Sequence, residues 1–459
     1  MSTDKDLTTG PVGWALLRVS APMTLGILGV LSVGLADAFF LARDGATSLT
    51  AIGYVFPVTA ALTSLSIGLS AGTNTVISQA IGKGEDEDAQ QRLALHAMGL
   101  AMVLSCAVAG LFYLGAPYLF AAMGAQGAVL EAILGYVAFW CLSFPPLVTG
   151  MALNAVFRAS GSSGVAATMM LGEAALNIAL TPLFIFGWAF VPDLGPAGAG
   201  LATAIARAVS FSCVTAFALR REVICLRCAP MQGLGVSILR IGRVGGPAAL
   251  SNAINPAGMA MVTAALATIG DAAVAGFGAA GRVQALILVP MLALSSGIGP
   301  VVGQAWGAGD KLRAQAALRL SFLICLGVGF GVAVLMTFFA GPIAAVMAPS
   351  AEEAAYAAQY LRVASWGFFG FGMLVTANAA MNARDKALWS VGLSAGRIFI
   401  FYVPLTWAGV MVAGYTGMLV AVVLANVMGG WGALIAARAT GLMDVDWPWV
   451  RSPARRLSA

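Results

Sequence analysis

Asp37 stands between Gly34-Leu35-Ala36 and Ala38-Phe39-Phe40-Leu41, an acid in the middle of an unbroken apolar run. An ionisable side chain at the centre of a bilayer helix costs about 2.5–3.5 kcal/mol on insertion scales, so an acid in that position is a candidate for function. A carboxylate there can carry a proton, or with neutral oxygens beside it can ligate a hard cation such as sodium. The neutral oxygens are at hand. Glu173, Asn177 and Thr181 recur every four residues. Steps of four keep side chains within ~40° of one another around a helix, so the three share a face. Thr203, within Leu201-Ala202-Thr203-Ala204, can join them from the next run. The expected ion-coupling set is therefore Asp37, Glu173, Asn177, Thr181 and Thr203, with Asp37, Asn177 and Thr203 as the ligands if the ion is sodium.

Tyr136 and Asn154 are eighteen residues apart, five whole helical turns, and face one way. With Asp37 and Asn177 they form the expected substrate-binding set, although an amide and a hydroxyl in such runs can equally serve to glue helices together. Pro22 lies fifteen residues before Asp37 and reads as a hinge or as a fixed kink. His96 opens the third apolar run beside a charged loop, where an interfacial role is expected. Cys225 and Cys228 form one CxxC with no second pair or nearby histidine to make a zinc or redox site, so they read as dispensable.

The elements that must hold these groups are membrane helices. Of 459 residues 60% are hydrophobic and 9% charged, against roughly 25% charged in a soluble chain. Mean hydropathy is +0.91. Only helices or closed barrels satisfy their backbone groups in hydrocarbon, and long apolar runs without period-2 alternation choose helices. Met1–Thr9 lacks the basic region of a signal peptide, and the first apolar run is too long for a cleaved one. Twelve spans follow from the punctuation: 14–42, 50–81, 93–115, 128–156, 164–188, 196–219, 238–268, 273–306, 314–340, 353–381, 387–412 and 415–437. Basic residues gather in the even-numbered turns, with Lys83, Arg92, Arg158, Arg220, Arg221, Arg384 and Lys386 among them. By the positive-inside rule both termini are cytoplasmic, which demands an even number of spans. The formal net charge of +5 thus reflects topology and not nucleic-acid binding.

The chain also repeats. A gapless shift of 225 residues carries Pro22 onto Pro247 and Gly72 onto Gly297. It carries Gln79-Ala80-Ile81-Gly82-Lys83-Gly84-Glu85 onto Gln304-Ala305-Trp306-Gly307-Ala308-Gly309-Asp310. Six spans per half put both halves in the membrane with one orientation, related by a pseudo-twofold axis along its normal. The expected lobes are residues 1–220 and 238–459, the second ending in a short basic tail, with a cytoplasmic linker at 221–237. Two lobes that can rock around a shared site suit alternating access. No P-loop, HExxH motif or selectivity filter points to an ATPase, a zinc enzyme or a potassium channel. Gly195-Pro196-Ala197-Gly198-Ala199-Gly200 reads as small residues for close helix packing.

Over nearly the whole chain these residues resemble the multidrug and toxic compound extrusion (MATE) family. The resemblance rests on Pro22 through Asp37-Ala38-Phe39-Phe40, on Gln79–Glu85, and on Asn177-Ile178-Ala179-Leu180-Thr181-Pro182-Leu183-Phe184. Gly195–Thr203, Pro247 and Gly303–Asp310 support it. It implies an all-α integral membrane protein of twelve transmembrane helices in two six-helix bundles forming a V. It implies a monomeric secondary transporter, not an enzyme, that exports organic cations and drugs against protons or sodium without a cofactor. A bacterial-type inner membrane is implied as well. Acids clustered around Asp37 in the first half resemble the DinF-like branch. That branch commonly has aspartate just before the span-five proline, where this chain has Thr181; with that ligand missing, protons are favoured over sodium. A lipid-linked-sugar flippase of the same superfamily is the nearest rival, and a channel or membrane-bound enzyme the rival from another class.

Overall fold

In the computed structural model, residues 6–187, 192–225, 231–348 and 350–443 are described. Cys228 and the basic C-terminal tail lie outside them. No strand occurs among the described residues. The first half comprises α1 (Val12–Asp44), α2 (Ala46–Gly82), α3 (Glu87–Ala122), α4 (Gly127–Ala159), α5 (Ser163–Phe186) and α6 (Gly195–Arg220). The second half begins with α7 (Leu234–Ala267). Next come α8 (Asp271–Ile287) and α9 (Val289–Gly307), one span bent by 47°. After α10 (Lys311–Met347), α11 (Ala351–Ala364) and α12 (Phe368–Ala383) join through a 3-10 turn at Ser365–Gly367. α13 (Ala387–Ala395) passes through a π-helical turn, Gly396–Tyr402, into α14 (Val403–Ala439).

Nine described helices are long and apolar enough to cross a membrane, and the bent pair makes ten. The 53-residue stretch Ala387–Ala439 is broken at Ala413 and Gly414, where the backbone leaves helical geometry. That break supplies an eleventh span, and α7 is the twelfth. The fold is an all-α, twelve-span membrane architecture, with the final turn where the sequence punctuation puts it.

Helix ends follow local chemistry. Asp310 accepts from the Arg313 amide and Ser350 from the Glu353 amide, each capping the helix that follows. The repeated Gln-Ala-x-Gly-x-Gly motif is a helix stop. Gly84 (φ 69°) and Gly309 (φ 79°) take the left-handed conformation. The amides of Glu85 and Asp310 then reach back to the carbonyls of Ala80 and Ala305, at 3.0 and 2.9 Å. His96 departs from expectation. α3 starts at Glu87, six residues before the apolar run, so His96 lies more than two turns inside the helix. It is buried there, with Nδ1 2.9 Å from Ser237 Oγ. Arg158 likewise belongs to the last turn of α4, donating to Ser70 Oγ at 2.8 Å.

The halves meet through reciprocal contacts. A Cβ at Gly82 would overlap the carbonyl of Gln304, and one at Gly307 would overlap the carbonyl of Gln79. Gly72 lies against Ile241 and Gly245 of α7, and Gly297 against Ser20 of α1. Each contact is the other's image under the 225-residue shift. The glutamines complete the pattern. Gln79 Nε2 donates to the carbonyl of Ala383 at 2.8 Å, and Gln304 Nε2 to that of Ala159 at 2.7 Å. Both glutamines are buried, and the N-terminal segment is tied to the same seam by the Leu7 amide donating to Gln304 Oε1 at 2.8 Å.

Overpacking a close contact costs roughly 1–3 kcal/mol. Gly82→Ala and Gly307→Ala are expected to lose about that much stability, whereas Gly99→Ala, with open space around its Cβ, loses none. Thermal unfolding of the three purified variants measures this; equal melting temperatures would remove the clamp from the account.

Candidate ion-coupling site

The site is built where α1, α5 and α6 meet. Gly26 and Gly29 bring α1 down onto Met170, Leu171 and Ala174 of α5. At Gly198, α6 leaves no space above the Phe184 carbonyl of α5, and at Gly200 it lies close on the Tyr136 carbonyl of α4. The glycine-rich start of α6 is thus a packing surface, as its composition suggests. These approaches carry Asp37, on α1, to the polar face of α5.

Four of the expected residues form one hydrogen-bonded chain. Thr181 Oγ1 lies 3.1 Å from Asp37 Oδ1 and 3.3 Å from Asn177 Oδ1. Asn177 Nδ2 donates to Thr203 Oγ1 at 3.0 Å, and Thr203 Oγ1 to the Ala199 carbonyl at 2.9 Å. Asn177, Thr181 and Thr203 are buried, and Asp37 is half-buried. A hydroxyl has a single hydrogen to give. Thr181 therefore serves either the carboxylate or the amide oxygen at any instant. The remaining direction is fixed, because Asn177 and Thr203 both donate away from Asp37. Three side-chain oxygens, one of them charged, converge at the end of this chain. A proton needs only the carboxylate; a hard cation would draw on all three.

The other expected residues part company. Glu173 turns from Asp37 to Arg207 of α6, 3.8 Å away, and Arg207 Nη1 donates to Ser143 Oγ at 2.7 Å. Arg207 is the residue that sequence reasoning missed. It is four residues after Thr203 and so on the same face of α6, which was the available signal. Assigning cations to loops hid it. Tyr136 lies within electrostatic reach of both Asp37 and Arg207. Asn154 does not join them. Five turns preserve a face but separate the two residues by about 27 Å along α4. Its Oδ1 is buried without a hydrogen-bond partner, toward the end that carries Arg158. α1 runs unbroken through Pro22, which is about 22 Å from Asp37 along the helix.

A family model described as MatE matches residues 22–183 and again 247–408. The chain belongs to the MATE family. Both matches begin at a proline of the internal repeat, and their starts and ends are each 225 residues apart, the shift read from the sequence. Over 426 residues the chain is 31% identical to a protein of Shewanella oneidensis named "FAD transporter", covering 92% of this chain and 94% of that one. It is 22% identical to "Multidrug export protein MepA" of Staphylococcus haemolyticus, covering 90% of each. Among solved structures, the Vibrio cholerae MATE transporter VcmN in its bent form is 27% identical with a TM-score of 0.88, covering 94% of this chain and 99% of that one. MATE proteins are membrane transporters of small molecules, and the Asp37 cluster is a polar, hydrogen-bonded group inside the first half of this one.

Glu173 and Arg207 side chains are 31% and 18% exposed. Removing one partner from such a pair should cost about 1–3 kcal/mol, between the limits for surface and buried pairs. Arg207→Gln and Glu173→Gln are each expected to destabilise by that amount, and the double variant by much less than their sum. A double-mutant cycle on the purified protein tests this, and strict additivity would show that the pair is not coupled.

Proposed function

We propose that this chain is a secondary active exporter in which Asp37 exchanges a coupling proton for cargo during alternating access. One observation carries the reading: the buried hydrogen-bond chain ends on the carboxylate with a hydroxyl that has two acceptors. With Asp37 charged, Thr181 donates to it. With Asp37 protonated or capped by cargo, the same hydrogen turns to Asn177 Oδ1, which has no other donor among the described residues. The hydroxyl therefore keeps an acceptor in both states, and the charge on Asp37 decides whether the buried Asn177 oxygen is satisfied, a difference of about 1–3 kcal/mol. The distribution of arginine and lysine supports a cytoplasmic position, in a bacterial-type cell, for the basic end of the helices and for both termini. The protein acts as a monomer in the inner membrane. An inward proton then brings about 2.3 kcal/mol per 100 mV to the cycle.

Two readings of the cargo differ in charge. Organic cations and drugs would compete with the proton directly at Asp37, and the names of the multidrug relatives support them. Flavin dinucleotide is favoured by the 31% identity, over 92% of the chain, to a protein named for it. Reconstituted vesicles loaded with ethidium or with FAD, under a pure proton gradient and then a pure sodium gradient, separate all four combinations.

Asp37→Asn is expected to insert and fold, to abolish uphill export, and to lose the pH dependence of cargo binding that a protonatable Asp37 gives wild type, measured between about pH 5 and pH 9. Continued uphill pumping by Asp37→Asn would sink the assignment and leave Glu173 as the next candidate. Thr181→Asp adds an anionic ligand beside Asp37 and should shift coupling toward sodium; an unchanged ion dependence would mean that the α5 polar face does not share the ion with Asp37.

A further inference from the structure

The second half contains a buried cation that no carboxylate answers among the described residues. Arg397 lies in the π-helical turn Gly396–Tyr402, a helix form that recurs at functional sites. It is ten residues, about 15 Å, beyond the start of α13, inside a stretch long and apolar enough to cross a membrane. The residue is 8% exposed. Nε and Nη2 both donate to Asn426 Oδ1, at 3.2 and 2.8 Å, and Nη1 donates to Asn255 Oδ1 at 3.0 Å. The rings of Phe371 and Tyr402 lie 5.2 Å from the guanidinium carbon. Gly429 leaves space for the arginine stem, since a Cβ there would come within 2.9 Å of Arg397 Cδ.

A guanidinium has five N–H donors. Three are used, which leaves one on each terminal nitrogen without an acceptor among the described residues. All its partners are neutral. The described acids of this lobe, Asp271, Asp310, Glu352, Glu353 and Asp385, stand at helix ends or in turns, and none pairs with Arg397. The neighbouring polar groups are also uncharged: Ser394, one turn earlier, meets Ser251 Oγ at 2.7 Å and accepts from Asn378 Nδ2 at 2.9 Å. An arginine that served only to tie helices would be expected to bring its own carboxylate, because an uncompensated buried charge is strongly destabilising.

We propose that this lobe holds an oxyanion-binding subsite centred on Arg397, which takes a phosphate or carboxylate carried by the cargo. The two unspent N–H groups, one on each terminal nitrogen, suit a fork-like grip on two oxygens. The aromatic faces beside them suit a flat ring system attached to that anion. The subsite rests on the exporter reading but is separable from Asp37, which lies in the other lobe.

The probes are riboflavin and flavin mononucleotide, which share a ring system and differ by one phosphate. Binding is measured by flavin fluorescence with the full-length protein in nanodiscs of neutral lipid. Wild type should bind the mononucleotide at least tenfold more tightly than riboflavin. Asn255→Asp is the discriminating variant, because it keeps the acceptor for Nη1 while neutralising the guanidinium from within. It should bring the two affinities within twofold and keep the wild-type melting temperature or raise it. Arg397→Gln should do the same to the affinities; if it fails to fold, Asn255→Asp still decides. Asp37→Asn should keep the tenfold preference, whether or not it still pumps. Equal affinities in wild type, or a preference that survives in Asn255→Asp, overturn the subsite while leaving the coupling reading untouched. Loss of the preference in nanodiscs containing phosphatidylglycerol, with inorganic phosphate unable to compete, would support the subsite but assign its anion to a lipid headgroup.

Discussion

Two helix ends that approach backbone to backbone set the geometry of the whole molecule. At Gly82 against Gln304 and Gly307 against Gln79, any side chain larger than hydrogen would overlap a main-chain carbonyl. Because the two contacts are images of each other, closing one closes both, and the seam behaves as a self-complementary joint between the lobes. Buried glutamine amides then satisfy carbonyls at the ends of α12 and α4, where helices run out of internal donors. The joint is held by small residues that let the backbones meet and by two glutamine side chains that reach across to main-chain carbonyls.

The joint also separates what each lobe can specialise in. The repeat is closest where the lobes touch and departs most inside them. In the first lobe, α1 and α5 bring a carboxylate to a hydroxyl and an amide. In the second, a π-helical turn brings a guanidinium to two amides. Symmetry is thus kept at the seam and abandoned inside the halves, where one carries a carboxylate and the other a guanidinium.

Much of this was legible in the residues. Asp37, Asn177, Thr181 and Thr203 stood out because polar side chains in hydrocarbon need a reason, and steps of four on α5 put them on one face. The twelve spans, their final turn and the 225-residue shift followed from punctuation alone. Depth was less legible than direction. Tyr136 and Asn154 share a face of α4, yet five turns place them at opposite levels of the membrane, so only Tyr136 belongs with Asp37. Cations were the least legible. Lysine and arginine report topology when they lie in loops, and that habit concealed Arg207 and Arg397 within spans. His96 was misjudged for a related reason: α3 continues past its apolar run, so a residue at the edge of hydrophobicity was not at the edge of the helix.

Arg207 has the most to do with how charge is balanced in the first lobe. It holds Glu173 at 3.8 Å and Ser143 at 2.7 Å, while Asp37 takes its hydrogen bond from Thr181. Were Glu173 free to approach Asp37, two carboxylates would share one apolar space and one would be forced to remain neutral. With Arg207 paired to Glu173, Asp37 takes its hydrogen bond from a hydroxyl that can turn away and feels the guanidinium only at longer range. A permanently paired acid is a poor exchanger, because its partner opposes every cation that comes to replace it. A singly hydrogen-bonded acid beside a distant arginine is a better one. The separation of the two acids, Glu173 in an ion pair on α5 and Asp37 of α1 hydrogen-bonded to Thr181 two turns later on α5, follows from where α6 places one guanidinium.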